Sequence, residues 1–322
     1  MLLPGGTGTI GRAAARELAR RGHGVVCLAR RRARAAGGRP APPPLDQVEF
    51  RSVDFADPAS ILRDGLRGER FDAVLSCLAS RTGAPRDAWA VDHDANANVL
   101  QAARSAGVPH FVLLSAICVQ RPLLAFQHAK LAFEAELQAS GLAWTIVRPT
   151  AFFKSLSGQV ERVRRGRPFL VFGDGQLTAC KPIADEDLAT YLADCLDDAS
   201  RRHRVLPIGG PGPAITPRQQ GEMLFALLGR EPRFRSVPVA LLDAVAGVLS
   251  VGGRVLPALA DKAEFARIGR YYATESMLVL DAASGRYDAD ATPSFGSRTL
   301  ADHYAAMLRG EVADDRGEHA VF

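Results

Sequence analysis

Through its first half the chain alternates short apolar runs with longer stretches in which apolar residues recur every three or four positions. Residues 25–29, 48–53, 73–77, 111–115 and 145–147 read as strands. Residues 12–21, 58–66, 87–106 and 123–139 read as the helices between and after them. Strands that alternate with helices form βαβ units, which predicts an α/β fold with a doubly wound, mainly parallel sheet of Rossmann type. The second half is less regular. Strand-like pieces fall at residues 169–172 and 204–208, and helices are expected to start near Asp185, Pro217, Val239 and Ser297. This divides the chain into a nucleotide-binding domain over residues 1–150 and a smaller substrate-binding region over residues 151–322. The C-terminal helices of that region partly complete the first domain. The Gly/Pro-rich stretch 37–44 is a surface loop. Only Met1, Leu2, Leu3 and Pro4 precede a glycine-rich loop. A strand ordinarily needs about 5 residues, so the first strand is expected to be stunted, or the sequence to be short at its start, with a weakened sheet edge.

Composition narrows the function. The 322 residues are 47% hydrophobic, enough to bury a large core. The net charge of +5, from 40 basic and 35 acidic residues, calls for no nucleic-acid partner but suits an anionic cofactor or substrate. Cys27, Cys77, Cys118, Cys180 and Cys195 include no Cys-x-x-Cys pair, which points to reduced core thiols and no structural metal site. No leader pattern is evident, and no apolar run reaches the roughly 18 residues that span a bilayer. The expectation is a cytoplasmic protein.

The glycine-rich loop carries the first chemistry. Gly5-Gly6-Thr7-Gly8-Thr9-Ile10-Gly11 has the spacing G-x-x-G-x-x-G ahead of a helix. Gly5 permits the tight turn, Gly8 lets backbone approach a pyrophosphate, and Gly11 allows close packing of the helix. The helix-start amides then face phosphate. The second strand runs into Arg30, Arg31 and Arg32 where an acidic residue would favour NADH. Arg30 can pair with a 2′-phosphate and Arg31 can stack or add charge, so the expected cofactor is NADPH. Asp54, after the third strand, can accept from the adenine amino group or simply close a turn. Expected cofactor contacts extend to Cys77, Leu78, Ala79, Ser115 and Pro149 at the ends of later strands.

Phe126 and Lys130 are four residues apart and share a helix face. Short-chain dehydrogenase/reductase enzymes carry Tyr-x-x-x-Lys in such a helix, with the tyrosine moving a proton at a carbonyl oxygen. Here Phe126 stands in that position, and no tyrosine occurs between Ser115 and Thr150. Lys130 is expected to position the nicotinamide ribose. The chain then either does no redox chemistry or reduces something other than C=O.

Longer motifs decide between these. Ser76-Cys77-Leu78-Ala79-Ser80-Arg81, the stretch from Phe111 to Gln120, Val147-Arg148-Pro149-Thr150-Ala151-Phe152-Phe153-Lys154-Ser155-Leu156 and Phe172-Gly173-Asp174-Gly175 resemble the divinyl chlorophyllide a 8-vinyl-reductase family. So do Cys180-Lys181-Pro182-Ile183, Ile268-Gly269-Arg270-Tyr271-Tyr272 and the stretch from Asp290 to Gly296. The resemblance covers nearly the whole chain. It implies an atypical short-chain reductase that uses NADPH to reduce the C8 vinyl group of divinyl chlorophyllide a, or a related divinyl Mg-tetrapyrrole, to ethyl. It also implies a place in chlorophyll or bacteriochlorophyll synthesis, in a bacterial cytoplasmic form peripheral to a photosynthetic membrane. Phe126, Phe152, Phe153 and Lys154 are the expected substrate contacts, with Lys181 and Arg121 as further partners for a propionate. His128, Cys118 and Lys154 are candidate proton donors. The apolar segment 237–249 can touch a membrane surface. The alternatives are a non-catalytic NADPH-sensing regulator and a reductase of another conjugated alkene.

Overall fold

The computed structural model describes residues 1–30, 47–253 and 257–312. In chain order its elements are β1 (Leu2–Pro4), α1 (Thr9–Arg20), β2 (Val25–Arg30), β3 (Val48–Val53), α2 (Pro58–Ser60), β4 (Ala73–Ser76), α3 (Pro85–Ala88), α4 (Asn96–Ser105), β5 (His110–Leu114), α5 (Ala125–Gln138) and β6 (Ala143–Pro149). They continue with α6 (Phe153–Leu156), α7 (Val160–Arg164), β7 (Phe169–Phe172), α8 (Asp185–Asp197), β8 (Arg204–Ile208), α9 (Pro217–Leu227), β9 (Phe234–Val237), α10 (Val239–Gly253), α11 (Pro257–Thr274), β10 (Val279–Leu280), β11 (Tyr287–Asp288) and α12 (Leu300–Arg309).

Seven strands form one parallel sheet in the order β3-β2-β1-β4-β5-β6-β8. The order reverses at β1, which opens a crevice at the carboxyl ends of β1 and β4. β1 is three residues long, but it lies in the middle of the sheet, paired on both sides, and not at an edge as its shortness implied. Its side chains alternate between the two faces. Leu2 joins a cluster with Val74, Phe111, Val99 and Phe133 under α4 and α5. Leu3 joins one with Val112, Leu18, Leu188 and Leu192 under α1 and α8. Helices therefore cover both faces, as a parallel sheet requires.

β8 and α8 come from beyond Thr150, so the second half of the sequence supplies an edge strand and a covering helix of the main sheet. The rest forms a smaller lobe. There β7 pairs with β9, and Phe153, Val163, Phe169, Leu224 and Tyr304 share a core. The expected helix near Ser297 begins at Leu300, because Thr299 is its cap and exchanges bonds with Asp302. The sequence pattern did not mark α11. Its buried positions include Ala263, Ala266 and Ala273, whose small side chains give little periodic contrast. The loop 37–44 lies outside the described residues. Among the described residues no helix is long and apolar enough to cross a membrane.

Candidate active site

The parallel order lines up the carboxyl ends of five strands. Arg30 ends β2, Gly5 follows β1, Cys77 follows β4, Ser115 follows β5 and Pro149 ends β6. Adjacent strands lie about 4.8 Å apart, so the row spans roughly 19 Å, a length suited to an extended dinucleotide.

Gly5 opens the loop at φ +82°, and a Cβ there would sit 2.5 Å from the carbonyl oxygen of Cys77. Gly8 caps α1 in an extended conformation, donating to Gly5 O at 3.0 Å and accepting from Arg12 N at 2.9 Å. A Cβ on Gly11 would run into the Gly5 carbonyl, so this glycine serves the loop's own closure. Gly6, which the motif spacing leaves unmarked, is equally constrained: a Cβ would meet Cys27 Sγ at 2.5 Å. Thr7, Gly8 and Thr9 are exposed and Ile10 is buried, so the start of α1 is anchored while its free amides face outward. Lys154 was expected beside substrate. Its Nζ instead donates to Thr9 Oγ1 at 2.8 Å, which brings a cation to the rim of this loop. Burial pushes nearby Asp185 up to about 6, with Glu186 adding to the shift and Lys154 and Arg16 opposing it.

At the adenine end, Arg30 is exposed on the last residue of β2. Arg31 lies outside the described residues. Asp54 Oδ1 accepts from Ala56 N at 2.9 Å, closing the turn into α2, and its carboxylate remains exposed. Leu78 is buried and Ala79 exposed on the strand that leaves β4.

The opposite end of the row is organised by Asp92. This residue sits in a π-helical section, Trp89–Ala95, that links α3 to α4. The Asn96 side chain donates to the carbonyls of Val91 and Asp92 at 3.2 Å each, and Ser76 Oγ donates to Asn96 Oδ1 at 2.6 Å. Such π turns favour functional sites. Asp92 is buried, accepts from Ser80 N at 3.3 Å and pairs with Lys130 Nζ at 2.9 Å. It thus ties the segment after β4 to the lysine of α5. An ammonium has three donors, so two remain for other partners. The second carboxylate oxygen of Asp92 is buried without a hydrogen-bond partner among the described residues. Asp92 falls in register with Ala88, Asn96 and Val99 on a buried helix face, and an acid on such a face is the sequence signal that marks it.

One turn further along α5, Glu134 is buried and accepts from the Ser115 hydroxyl and from Arg148 of β6. Ser115 is therefore held by its own side chain, while its amide donates to Val147 O at 2.8 Å. Phe126 is buried among Ile117, Cys118, Ile268, Tyr271 and Met277. Gln127 donates to Cys118 O at 3.1 Å. His128 lies about 200° round the helix from both Phe126 and Lys130 and is exposed, which removes it from the candidate proton donors. Burial pushes the Cys118 thiol up, so it stays neutral.

Of the other expected substrate contacts, Phe152 is half-buried, but Phe153 is enclosed in the core of the smaller lobe with its ring 5.4 Å from His303. Lys181 donates to Thr292 O at 2.9 Å, and Arg121 pairs with Glu275 at 3.1 Å. Each of these cations is already engaged with the C-terminal segment. All five cysteines are free thiols.

Residues 5–199 match the family model described as NAD(P)H-binding. A divinyl chlorophyllide a 8-vinyl-reductase of Oryza sativa subsp. indica, a chloroplast protein, is 51% identical over 332 residues, spanning 100% of this chain and 82% of the relative. The chloroplast protein of the same name from Arabidopsis thaliana is 48% identical over 329 residues, spanning 99% of this chain and 79% of the relative. Among solved structures, an NADPH-dependent quinone oxidoreductase from Escherichia coli in complex with NADPH superimposes with a TM-score of 0.64 at 19% identity, over 95% of this chain and 99% of that one. At that identity the likeness is one of fold. The plant chloroplast relatives overturn the expectation of a bacterial cytoplasmic form. That expectation rested on the start of the sequence, which carries no information about a removable leader.

Proposed function

This chain belongs to the divinyl chlorophyllide a 8-vinyl-reductase family, and from that membership we propose how its own residues serve the reaction. The protein is an NADPH-dependent oxidoreductase that reduces the C8 vinyl group of divinyl chlorophyllide a, or a related divinyl Mg-tetrapyrrole, to ethyl. Identity at half of all positions over the full chain carries this reading.

The residues present fit the cofactor. Added bulk at Gly8 would meet only the Gly5 carbonyl oxygen, at 3.4 Å, so its backbone is open to a close approach. The unpartnered oxygen of Asp92 can accept from a ribose hydroxyl beside Lys130. In this reading the glycine loop, Thr7, Thr9 and Ile10 hold the pyrophosphate with help from Lys154, and Arg30 holds the 2′-phosphate. Cys77, Leu78, Ala79, Ser115 and Pro149 line the strand ends, and Asp54 borders the adenine. When bound, NADPH supplies the hydride. Lys130, fixed by Asp92, orients the ribose with its two remaining N–H groups.

Phe126 fits an alkene substrate. Carbonyl reduction concentrates charge on one oxygen and needs an acid beside it. Reduction of a conjugated vinyl group spreads charge through the macrocycle, so no oxyanion forms at this point. The phenyl ring helps keep the pocket apolar and excludes water. Phe152, half-buried after the carboxyl end of β6, is the second aromatic of this reading.

The substrate's hydrophobicity also gives a role to α10. Leu241, Val245 and Val248 lie at helical spacing on one exposed face, with Val248 74% exposed. That face supports peripheral contact with a membrane, which co-sedimentation with lipid vesicles would measure. The central test is catalytic. Purified protein with NADPH and divinyl chlorophyllide a should move the Soret band to shorter wavelength as the ethyl product forms. No conversion, with NADPH binding demonstrated, rejects the function.

A further inference from the structure

Buried polar atoms ordinarily have partners, and one that lacks a partner marks a place where a ligand can complete the fold. Among the described residues three buried side-chain atoms stand in this position: Asp92 Oδ2, Asp185 Oδ1 and Arg12 Nη1. Asp92 belongs to the Lys130 end of the site, and Asp185 opens α8. Arg12 directly follows Gly11, and no bond described so far uses its side chain. The glycine loop fixes where Arg12 starts. It is the fourth residue of α1, and its amide donates to Gly8 O at 2.9 Å. Gly11 before it is packed on Gly5, where a Cβ would come within 2.2 Å of the carbonyl oxygen. Helical side chains lean back toward the N-terminus, so the Arg12 stem runs over the turn that holds Gly8 and Thr9. Its flank follows from Arg21. Nine residues, about two and a half turns, separate the two, so they leave α1 in opposite directions. Arg21 reaches α8 through Asp194 at 2.8 Å and Asp197 at 3.3 Å. α8 packs over β5 and β6, and α1 over β1 and β2. The flank of α1 away from α8 therefore looks to β2, which ends at the exposed Arg30. Arg12 and Arg30 approach the same end of the row, one from the helix and one from the strand.

We propose that Arg12 is a second recognition residue for the 2′-phosphate of NADPH, acting from the first turn of α1 opposite Arg30. The guanidinium is partly buried, and its Nη1 is shut off from water without a partner among the described residues. Such a group gains a full charge-assisted bond when a phosphate oxygen arrives, because there is no bond to water to give up. The N-terminus of α1 adds to the same positive field. A doubly charged phosphate monoester matches two arginines that flank it, whereas the ribose hydroxyls of NADH offer Nη1 only a neutral acceptor. The choice of NADPH over NADH is then shared between the end of β2 and the residue that follows the last glycine of the loop. The inference rests on NADPH as the cofactor of the function proposed above, and its test reads binding and not turnover.

Arg12→Met keeps an unbranched stem and removes the charge. Isothermal titration with 2′,5′-ADP and with 5′-AMP isolates the 2′-phosphate, since the two ligands differ only there. In the variant the Kd for 2′,5′-ADP, and that for NADPH, should rise by about 10-fold to 100-fold. The Kd values for 5′-AMP and NADH should stay within about twofold. The Tm of the free protein should hold or rise, because an unpaired buried charge has been removed, while the gain in Tm on adding NADPH should shrink. Arg12→Lys keeps the charge but not the planar fork and should fall between wild type and Arg12→Met. Arg12→Met combined with Arg30→Ala should bind 2′,5′-ADP no more tightly than 5′-AMP. Equal losses for 5′-AMP and 2′,5′-ADP would assign Arg12 to the 5′-phosphate side and overturn the proposal. So would unchanged affinity for 2′,5′-ADP with a lower Tm of the free protein, the signature of an arginine that only braces the fold. Divinyl chlorophyllide a is absent from these measurements. A protein that reduces no vinyl group, yet loses 2′,5′-ADP on Arg12→Met, would reject the proposed function and leave this inference standing.

Discussion

Phe126→Tyr would restore the residue pattern of carbonyl reductases, and it should not restore any activity here. The ring is enclosed by Ile117, Cys118, Ile268 and Tyr271. A hydroxyl added there without a partner costs about 1–3 kcal/mol. The variant should melt at a lower temperature with no gain in vinyl reduction; a clear gain in kcat would contradict the charge argument. Arg30→Ala should weaken NADPH binding by about 1.5–3 kcal/mol through loss of charge-assisted bonds and leave NADH binding nearly untouched. Paired isothermal titrations decide this, and equal losses for both cofactors would reject a 2′-phosphate role. Lys130 and Phe126 could be picked out from sequence because helical spacing places them side by side. Asp92 and Glu134 could not, because their partners Lys130 and Arg148 belong to other elements and meet them only through the fold. Lys154 shows the converse. Its neighbours in sequence belong to the substrate side, yet its ammonium reaches Thr9, 145 positions away.

Helix ends govern the electrostatics of the site. The first turn of α8 carries Asp185, Glu186 and Asp187, and its macrodipole favours carboxylates there. For Asp185 burial outweighs that help and raises the group from 3.8 to about 6. The folded state thus holds this proton more tightly than the unfolded chain does, so stability falls as pH rises between those values and the full penalty applies above them. Asp185→Asn should therefore stabilise the protein by up to about 3 kcal/mol at neutral pH and by nothing at a pH below the unfolded value. Urea titrations across that interval would check it, and a gain independent of pH would refute the burial account. Asp187, two residues on, is also buried but accepts from Ser297 N and Arg298 N at 3.0 Å each and from the Arg298 side chain, so the same turn holds one satisfied and one strained carboxylate. The strands and most helices were readable because periods of two and of three to four residues are distinct. α11 was not, since Ala263, Ala266 and Ala273 take up much of its buried face and give little periodic contrast.

The doubly wound sheet was readable from the alternation of elements, but not the position of its shortest strand. Three residues suffice for β1 because neighbours on both sides complete its hydrogen bonds, which no count of apolar residues reveals. A further reach of the same sheet is the union of β6 with β8, in register from Thr145↔Arg204 to Pro149↔Ile208. A chain ended at Thr150 should lose this edge and the α8 cover over Leu18 and Val112, and should show no cooperative unfolding and no NADPH binding; a stable, cofactor-binding fragment would contradict the shared core. The arrangement also sets a timetable for synthesis. A ribosome adds about 5–20 residues per second, so β6 waits on the order of 3–10 s for its partner to be made. During that interval the nascent chain shows an open strand edge and an apolar face that α8 has yet to cover. The step most exposed to misassembly is therefore the emergence of residues 185–208, and a holdase chaperone that bound the chain there would protect it when it is most vulnerable.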